Sequence, residues 1–393
     1  MTTDAFSPPS LSLLQLFLRF LRFGFLAFGG PVAQIAMVKQ ALVEEERWIS
    51  PARFNRLLAV MQILPGPEAH ELCVHLGMVA RGRIGGLLAG LGFMLPGFVL
   101  MLAAAWLYKD WIVGNPAMAP VFLGVQIAVL AIILRAVQRI GTHILEDRLL
   151  WGLAAASLGA TLAGVPFWIP LIAAGLIYTF AARPVVAAAI FAAAIALALL
   201  VSGAGPTVKA GVAASEAGII ALFAAGLKGG LLTFGGAYTA IPYVRTDTVG
   251  RGWLSDASFL DGVALAGMLP APLVIFATFA GYVAGGLPGA LAITAGMFLP
   301  AFAFSMIFFE RLEAVVENPG LHHALAGVAA AVVGVIAATW MQLGWVTASR
   351  VANPIAGVII FAGAVAAMVL IKGKWVAPLL VVAAGIAGWL LNP

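Results

Sequence analysis

The sequence predicts an all-α, polytopic membrane protein of about thirteen transmembrane helices, set as two inverted-topology repeats with broken helices. Composition comes first: 63% of the 393 residues are hydrophobic and only 9% are charged, with a mean hydropathy of +1.08. Soluble domains carry roughly 25% charged residues. Next, apolar runs of roughly 17–25 residues recur along the chain, each long enough to cross the ~30 Å hydrocarbon layer. Finally, a set of local landmarks occurs twice, in the same order.

The apolar runs place spans near 12–34, 57–79, 84–107, 117–139, 150–165, 167–182 and 185–201, then near 217–239, 260–281, 287–309, 321–343, 354–371 and 375–391. Residues 1–10 are polar, and Arg19 and Arg22 lie inside the first run rather than before it, so no cleavable signal peptide is read there. One cysteine, Cys73, leaves no intrachain disulfide and no cysteine-rich metal site. A pI near 9.6 would suggest nucleic acid in a soluble chain; here it reads as Arg and Lys in cytoplasmic loops, with no nucleic-acid partner.

The duplication begins with Phe28-Gly29-Gly30 and its match at 234–236, Phe234-Gly235-Gly236. Trp48 and Ser50 match Trp253 and Ser255, and Leu64-Pro65 with Pro67 matches Leu269-Pro270 with Pro272. Leu95-Pro96 matches Leu299-Pro300, Asn115-Pro116 matches Asn318-Pro319, and Gly124-Val125 matches Gly327-Val328. The offset drifts only from 206 to 203 over these landmarks, so few gaps separate the copies. The expected division is a first repeat over 1–205, including a linking helix, and a second over 206–393. Seven crossings separate the matched starts, an odd number, which sets the repeats upside down relative to each other. With the N-terminus inside, eleven Arg and Lys, Arg135 and Arg139 among them, fall on the cytoplasmic side and seven on the other.

Each Phe-Gly-Gly follows a cation by eight residues, Arg22 before Gly30 and Lys228 before Gly236. A cation at membrane depth is costly and calls for a partner. Glycine and proline in Gly29-Gly30-Pro31 break the first span, and the freed backbone needs protein or a watery cavity to satisfy it. The functional reading is an anion held by Arg22, Lys228 and the amides beside Gly29, Gly30, Gly235 and Gly236, with half-helix N-termini adding positive potential. The bland reading is close helix packing at the glycines and neutralisation of each cation by an acid.

Pro65, Gly66 and Pro67 should interrupt the second span, and Pro270 and Pro272 repeat that break. Behind the first break stand Glu68, His70, Glu71 and His75. Carboxylates and histidine at membrane depth suit a proton relay, here Glu68, His70 and Glu71. Glu71 with His75 as a metal pair, or internal neutralisation of nearby arginines, are the alternatives. In the second half Leu273, Ile275 and Phe276 replace the ionisable residues, so one half would handle protons while both handle the substrate. No nucleotide loop, nucleophilic triad or cofactor motif is read, which argues against an enzyme.

Phe-Gly-Gly-Pro near the N-terminus, Leu-Pro-Gly-Pro at 64–67, the glycine-rich run at 86–97 ending in Leu-Pro-Gly, and their second-half echoes resemble the chromate ion transporter family in its long, two-domain form. The likeness spans residues 15–391. It implies a bacterial inner-membrane protein that expels chromate, confers resistance, depends on the proton motive force and meets sulfate as a competing oxyanion. It places the family motifs on Gly29, Gly30, Pro65, Gly66, Pro67, Gly235, Gly236, Pro270 and Pro272, with Ala271 where the first half has Gly66. The expected activity is therefore efflux of a divalent tetrahedral oxyanion, chromate or sulfate, by a secondary transporter without cofactor. A passive anion channel, an embedded enzyme and a scaffold are the rivals, and pairing as a homodimer is left open.

Overall fold

The structure is a computed structural model that describes residues 6–63, 65–203, 217–234, 236–307, 319–371, 373 and 375–391. Among these residues the chain is helical and contains no strand. Leu64, the 205–206 boundary, Gly235 and Asn318 lie outside the described residues.

Helix α1 (Leu13–Leu26) opens on a capping box in which Ser12 Oγ accepts from the Gln15 amide and Gln15 Oε1 from the Ser12 amide. Two amides that a helix start leaves free are thereby satisfied. The helix stops before Gly29 and Gly30, whose φ values of 89° and 77° lie in the left-handed region, where a side chain is strained. Helix α2 (Gly30–Lys39) starts there with Pro31 in its first turn, a place that needs no amide hydrogen. The predicted span 12–34 is thus two helices. The second span is also divided, into α3 (Pro51–Ile63) and the start of α4 (Glu68–Leu107), on either side of Pro65-Gly66-Pro67.

Helix α4 is a hairpin. At Arg81 (φ −144°, ψ 30°) and Gly82 (φ 62°, ψ −158°) the backbone leaves helical geometry. A Cβ on Gly77 or Gly85 would strike the other residue's carbonyl oxygen, so the two arms lie side by side. The same devices recur later in α9 (Ile219–Leu231), α10 (Ile241–Thr248), α11 (Asp256–Met268) and α12 (Phe276–Ile307). Helix α12 turns at Gly285 (φ −143°, ψ 21°) and Gly286 (φ 62°, ψ −155°), nearly the angles of Arg81 and Gly82. On α1, Gly24 lies against the Phe93 carbonyl and Pro96 of α4; on α9, Gly230 lies against the Met297 carbonyl and Pro300 of α12. Backbone approach of this kind is how apolar helices associate in lipid, where burial of apolar surface drives little.

The remaining helices are exchanged between the halves. Helix α5 (Ala119–Ile144) follows α4. Beyond it α6 (Arg148–Leu162) and α7 (Trp168–Thr179) pack on α13 (Pro319–Ala348), whereas α14 (Pro354–Leu370) and α15 (Val376–Leu391) pack back on α5. Gly124 of α5 touches Gly388 of α15, and Gly334 and Gly327 of α13 touch Ala154 and Ala174. Val129 and Ile133 of α5 share one core with Val332 and Ile336 of α13. Asp147 joins α6 to α7, accepting from the Leu150 amide at 2.9 Å and the Tyr178 hydroxyl at 2.7 Å. Those bonds, the Leu150 amide foremost, hold its carboxyl below the ordinary value. Helix α8 (Pro184–Gly203) packs on α7, and its apolar stretch 184–201 is otherwise uncovered.

Among the described residues five helices are long and apolar enough to cross a membrane, counting both arms of α4 and of α12 together; shorter apolar helices of 10–17 residues accompany them. This is an all-α, multi-pass membrane architecture. Several predicted spans are two short helices because glycine and proline end them midway.

Candidate functional site

The four breaks meet in pairs, each pair joining one half to the other. The buried Gln34 side chain on α2 donates to the Ala27 carbonyl at 2.8 Å and to the Ala271 carbonyl at 2.9 Å. Its amide thus ties the first Gly-Gly break to the second Pro-x-Pro break. Conversely, the Gly66 amide donates to the Thr233 carbonyl at 2.8 Å, tying the first Pro-x-Pro break to the second Phe-Gly-Gly segment. Unwound backbone in an apolar bundle must find such partners, and each half finds them in the other.

Beside the first of these junctions lies a cavity of about 270 Å³, lined among others by Gly29, Gly30, Arg135, Arg139, Tyr238 and Ala271. A water takes about 30 Å³ of liquid, so a tetrahedral anion fits with part of its hydration shell. Arg135 and Arg139 are four residues apart and share one face of α5. Arg135 Nη1 donates to the neutral Gln138 Oε1 at 2.7 Å. Among the described residues no carboxylate stands within ion-pair distance of either guanidinium. The start of α2 at Gly29–Pro31 brings the positive end of a helix dipole to the same space. The cavity is therefore positive.

These two arginines are the residues the sequence reading missed. It counted them as cytoplasmic-side charges at the end of a span drawn over 117–139, whereas α5 continues to Ile144 and keeps both well inside the helix. A pair of cations at i, i+4 inside a helical run was the signal available.

The structure does not bring Arg22 and Lys228 to this cavity. Arg22 is exposed on α1, on a stripe with Leu14, Leu18, Phe25 and Leu26. Lys228 Nζ sits 2.9 Å from Asp247 Oδ2 and 4.5 Å from the centre of the Phe167 ring. Asp247, nineteen residues away on α10, also faces Arg251 at 3.7 Å. Arg19 pairs with Glu46 in the first half. For Lys228 the neutralising reading of a buried cation holds, and the pair fixes α9 against α10. Lys228→Met takes the nearer cation from the partly buried Asp247 carboxylate and leaves it to Arg251 at 3.7 Å, at a cost of about 1 kcal/mol. The expected result is reduced protein in the membrane, recovered in the double variant Lys228→Met with Asp247→Asn and read by immunoblot of membrane fractions.

The other predicted residues separate as follows. Gly29 and Gly30 line the cavity, and Ala271 brings the Pro270–Pro272 break to its wall. Pro65, Gly66 and Pro67 are buried at the second junction, and Gly236 is buried nearby, with Ile140 of α5 3.9 Å from where a Cβ would stand. Gly235 lies outside the described residues. Glu68, His70 and Glu71 fill the first turn of α4 and are all buried. The Arg139 charge acts on Glu68, and Glu68 in turn acts on Glu71. His70 is boxed by Phe298 and Phe302, ring centres 5.0 and 4.8 Å away. Both Glu71 carboxyl oxygens lack a hydrogen-bond partner among the described residues, and Gly66 is packed onto that carboxyl so closely that a Cβ would strike it. The Glu71–His75 metal alternative finds no third ligand among the described residues.

Broken helices meeting beside an arginine-lined cavity inside an apolar bundle are the make-up of a multi-pass membrane transport protein. Comparison with known sequences narrows that class. The chromate transporter family profile matches residues 14–180 and again 220–389. A chromate transport protein of Pseudomonas aeruginosa is 58% identical over 397 residues, covering 100% of this chain and 95% of that protein. One from Cupriavidus metallidurans is 33% identical, covering 84% of this chain and 82% of its own. A probable chromate transport protein of Synechococcus elongatus is also 33% identical, over 86% of each. No solved structure shows significant similarity. The chain belongs to the chromate transporter family.

Proposed function

We propose that this protein exports chromate across the bacterial inner membrane as a secondary transporter, with sulfate a competing cargo of the same shape and charge. The observation that carries the reading is the pair Arg135 and Arg139, with no described carboxylate within ion-pair distance, in the cavity where the first Gly-Gly break faces the second Pro-x-Pro break. A guanidinium matches an oxyanion through two parallel hydrogen bonds, and two of them suit a divalent anion. The names of the relatives supply chromate as the cargo.

Direction follows from charge. A divalent anion leaving a negative-inside cell gains ~2.3 kcal/mol per charge per 100 mV, so export needs little further drive and lowers cytoplasmic chromate, which would give resistance. The recurring element order, the matched bends at 81–82 and 285–286, and the pairwise meeting of breaks support two repeats, divided near 205–206 and set with opposite topology. Rocking of one repeat against the other would expose the cavity alternately to each side. Glu68 and Glu71 would carry coupling protons, linked to the anion through Arg139.

Labelled chromate in inverted membrane vesicles tests this directly. Accumulation should saturate, be competed by sulfate, and rise when a proton gradient is imposed. Glu71→Gln should flatten the pH dependence of that flux. Linear, unsaturable entry insensitive to the gradient would mean a channel instead.

A further inference from the structure

Another buried carboxylate belongs neither to the cavity lining nor to the Glu68–Glu71 pair. Asp261 on α11 is 3% exposed. Its Oδ2 accepts from the Tyr108 hydroxyl at 2.6 Å, and its Oδ1 accepts from Gln126 Nε2 at 2.7 Å. Tyr108 comes from the turn after α4 and Gln126 from α5, so one carboxyl ties the first half to the second. The Gln126 amide oxygen accepts from Arg350 Nη1 at 2.8 Å, which orients the amide hydrogens toward Asp261. Arg350 is also the charged group that acts on Asp261.

The Tyr108 hydroxyl has a second neighbour, Ser258 Oγ, at 3.3 Å, and Ser258 Oγ in turn accepts from Ser255 Oγ at 3.0 Å. Ser255 is exposed at the start of α11, and the chain Ser255, Ser258, Tyr108, Asp261 runs inward from there without a break. Hydroxyls both donate and accept, so such a chain can pass a proton by successive exchange. The matching first-half positions hold Ser50, Arg53 and Arg56, so the repeated fold itself does not require an acid there.

We propose that Asp261 is a proton-binding site fed from the surface through Ser255, Ser258 and Tyr108, and that its protonation resets the tie between the two halves. The exchange balances. A proton on Oδ2 becomes a donor to Tyr108 Oη, whose own hydrogen turns to Ser258 Oγ, while Oδ1 keeps accepting from Gln126. No hydrogen bond is orphaned, yet the charge that Arg350 and the Gln126 amide face is removed. Binding chromate at Arg135 and Arg139 on the same helix α5 is then sensitive to the protonation of Asp261. The link to transport rests on the proton-coupled reading above; proton binding at Asp261 does not.

Infrared difference titration of the purified full-length protein, unlabelled and with aspartate carboxyl-labelled, separates the two. A protonated-carboxyl band that titrates in the wild type, shifts with the label and is lost in Asp261→Asn is the expected result. In Tyr108→Phe the band should persist but form more slowly after a pH jump. In proteoliposomes Asp261→Asn should lose the gradient-stimulated flux while keeping chromate-for-chromate exchange. If no titrating band depends on Asp261, the proposal is overturned, and it is overturned too if exchange and gradient-driven flux fall together, since that marks a structural tie. A band that depends on Asp261 in a wild type showing no gradient stimulation would keep the site and remove the coupling reading.

Discussion

Arg139→Gln is expected to abolish chromate transport while leaving normal amounts of protein in the membrane. The guanidinium lines the cavity, has no described carboxylate to release, and carries the charge that acts on Glu68. Its loss removes charge-assisted hydrogen bonds to the anion, about 2 kcal/mol or roughly thirtyfold in affinity, and cuts the electrical link between cargo and the buried glutamates. Arg139→Lys keeps the charge but not the planar fork, so weaker binding with some residual flux is expected. Arg22→Gln is the telling control. Arg22 points outward from α1, so that variant should transport like the wild type. Labelled chromate flux and equilibrium binding in proteoliposomes decide between the two cations, and a dead Arg22→Gln beside an active Arg139→Gln would overturn the assignment of the site.

Gly226→Val is expected to prevent stable assembly. On α9 this glycine faces the backbone of Ile293 on α12, where a Cβ would meet the carbonyl oxygen, the carbonyl carbon and Cα together. Backbone cannot rotate away, so the helices must separate, at a cost of about 1–3 kcal/mol or more in a well-packed core. In lipid the lost contact is not repaid by apolar burial, since lipid tails are equally apolar. Gly159→Ala on α6 has open space around it and should be neutral. Yield in membranes and thermal unfolding in detergent should fall for the first and hold for the second. Equal stability of both variants would mean that the close α9–α12 approach at Gly226 does not govern assembly.

Much of the architecture was legible before any coordinate. Hydrocarbon demands long apolar runs, and the places where glycine and proline interrupt them are where helices end: Gly29-Gly30-Pro31, Pro65-Gly66-Pro67 and Pro270-Ala271-Pro272 all break as read. Glu68, His70 and Glu71 were legible as ionisable groups at membrane depth, where exposure to hydrocarbon is costly, and the structure buries all three. Charge partnership was not legible. Lys228 reads as a free cation beside a glycine break until Asp247 folds back from α10 to meet it, and Arg135 and Arg139 read only as cytoplasmic-side charges at the end of a span until α5 carries them past the wall of a cavity. Asp261 carries no sequence signal of its own, because Tyr108 and Gln126, each more than a hundred residues away, close on it only in the fold.

The sequence by itself determined the all-α membrane class, the doubled order of landmarks and the positions where helices stop. Those are local properties: transfer of side chains into hydrocarbon, backbone angles open to glycine, the missing amide of proline. Tertiary structure alone decided which cations are neutralised and which stay available to an anion. Electrostatic pairing depends on distances of a few ångströms between residues far apart in the chain, and folding, not sequence spacing, sets those distances.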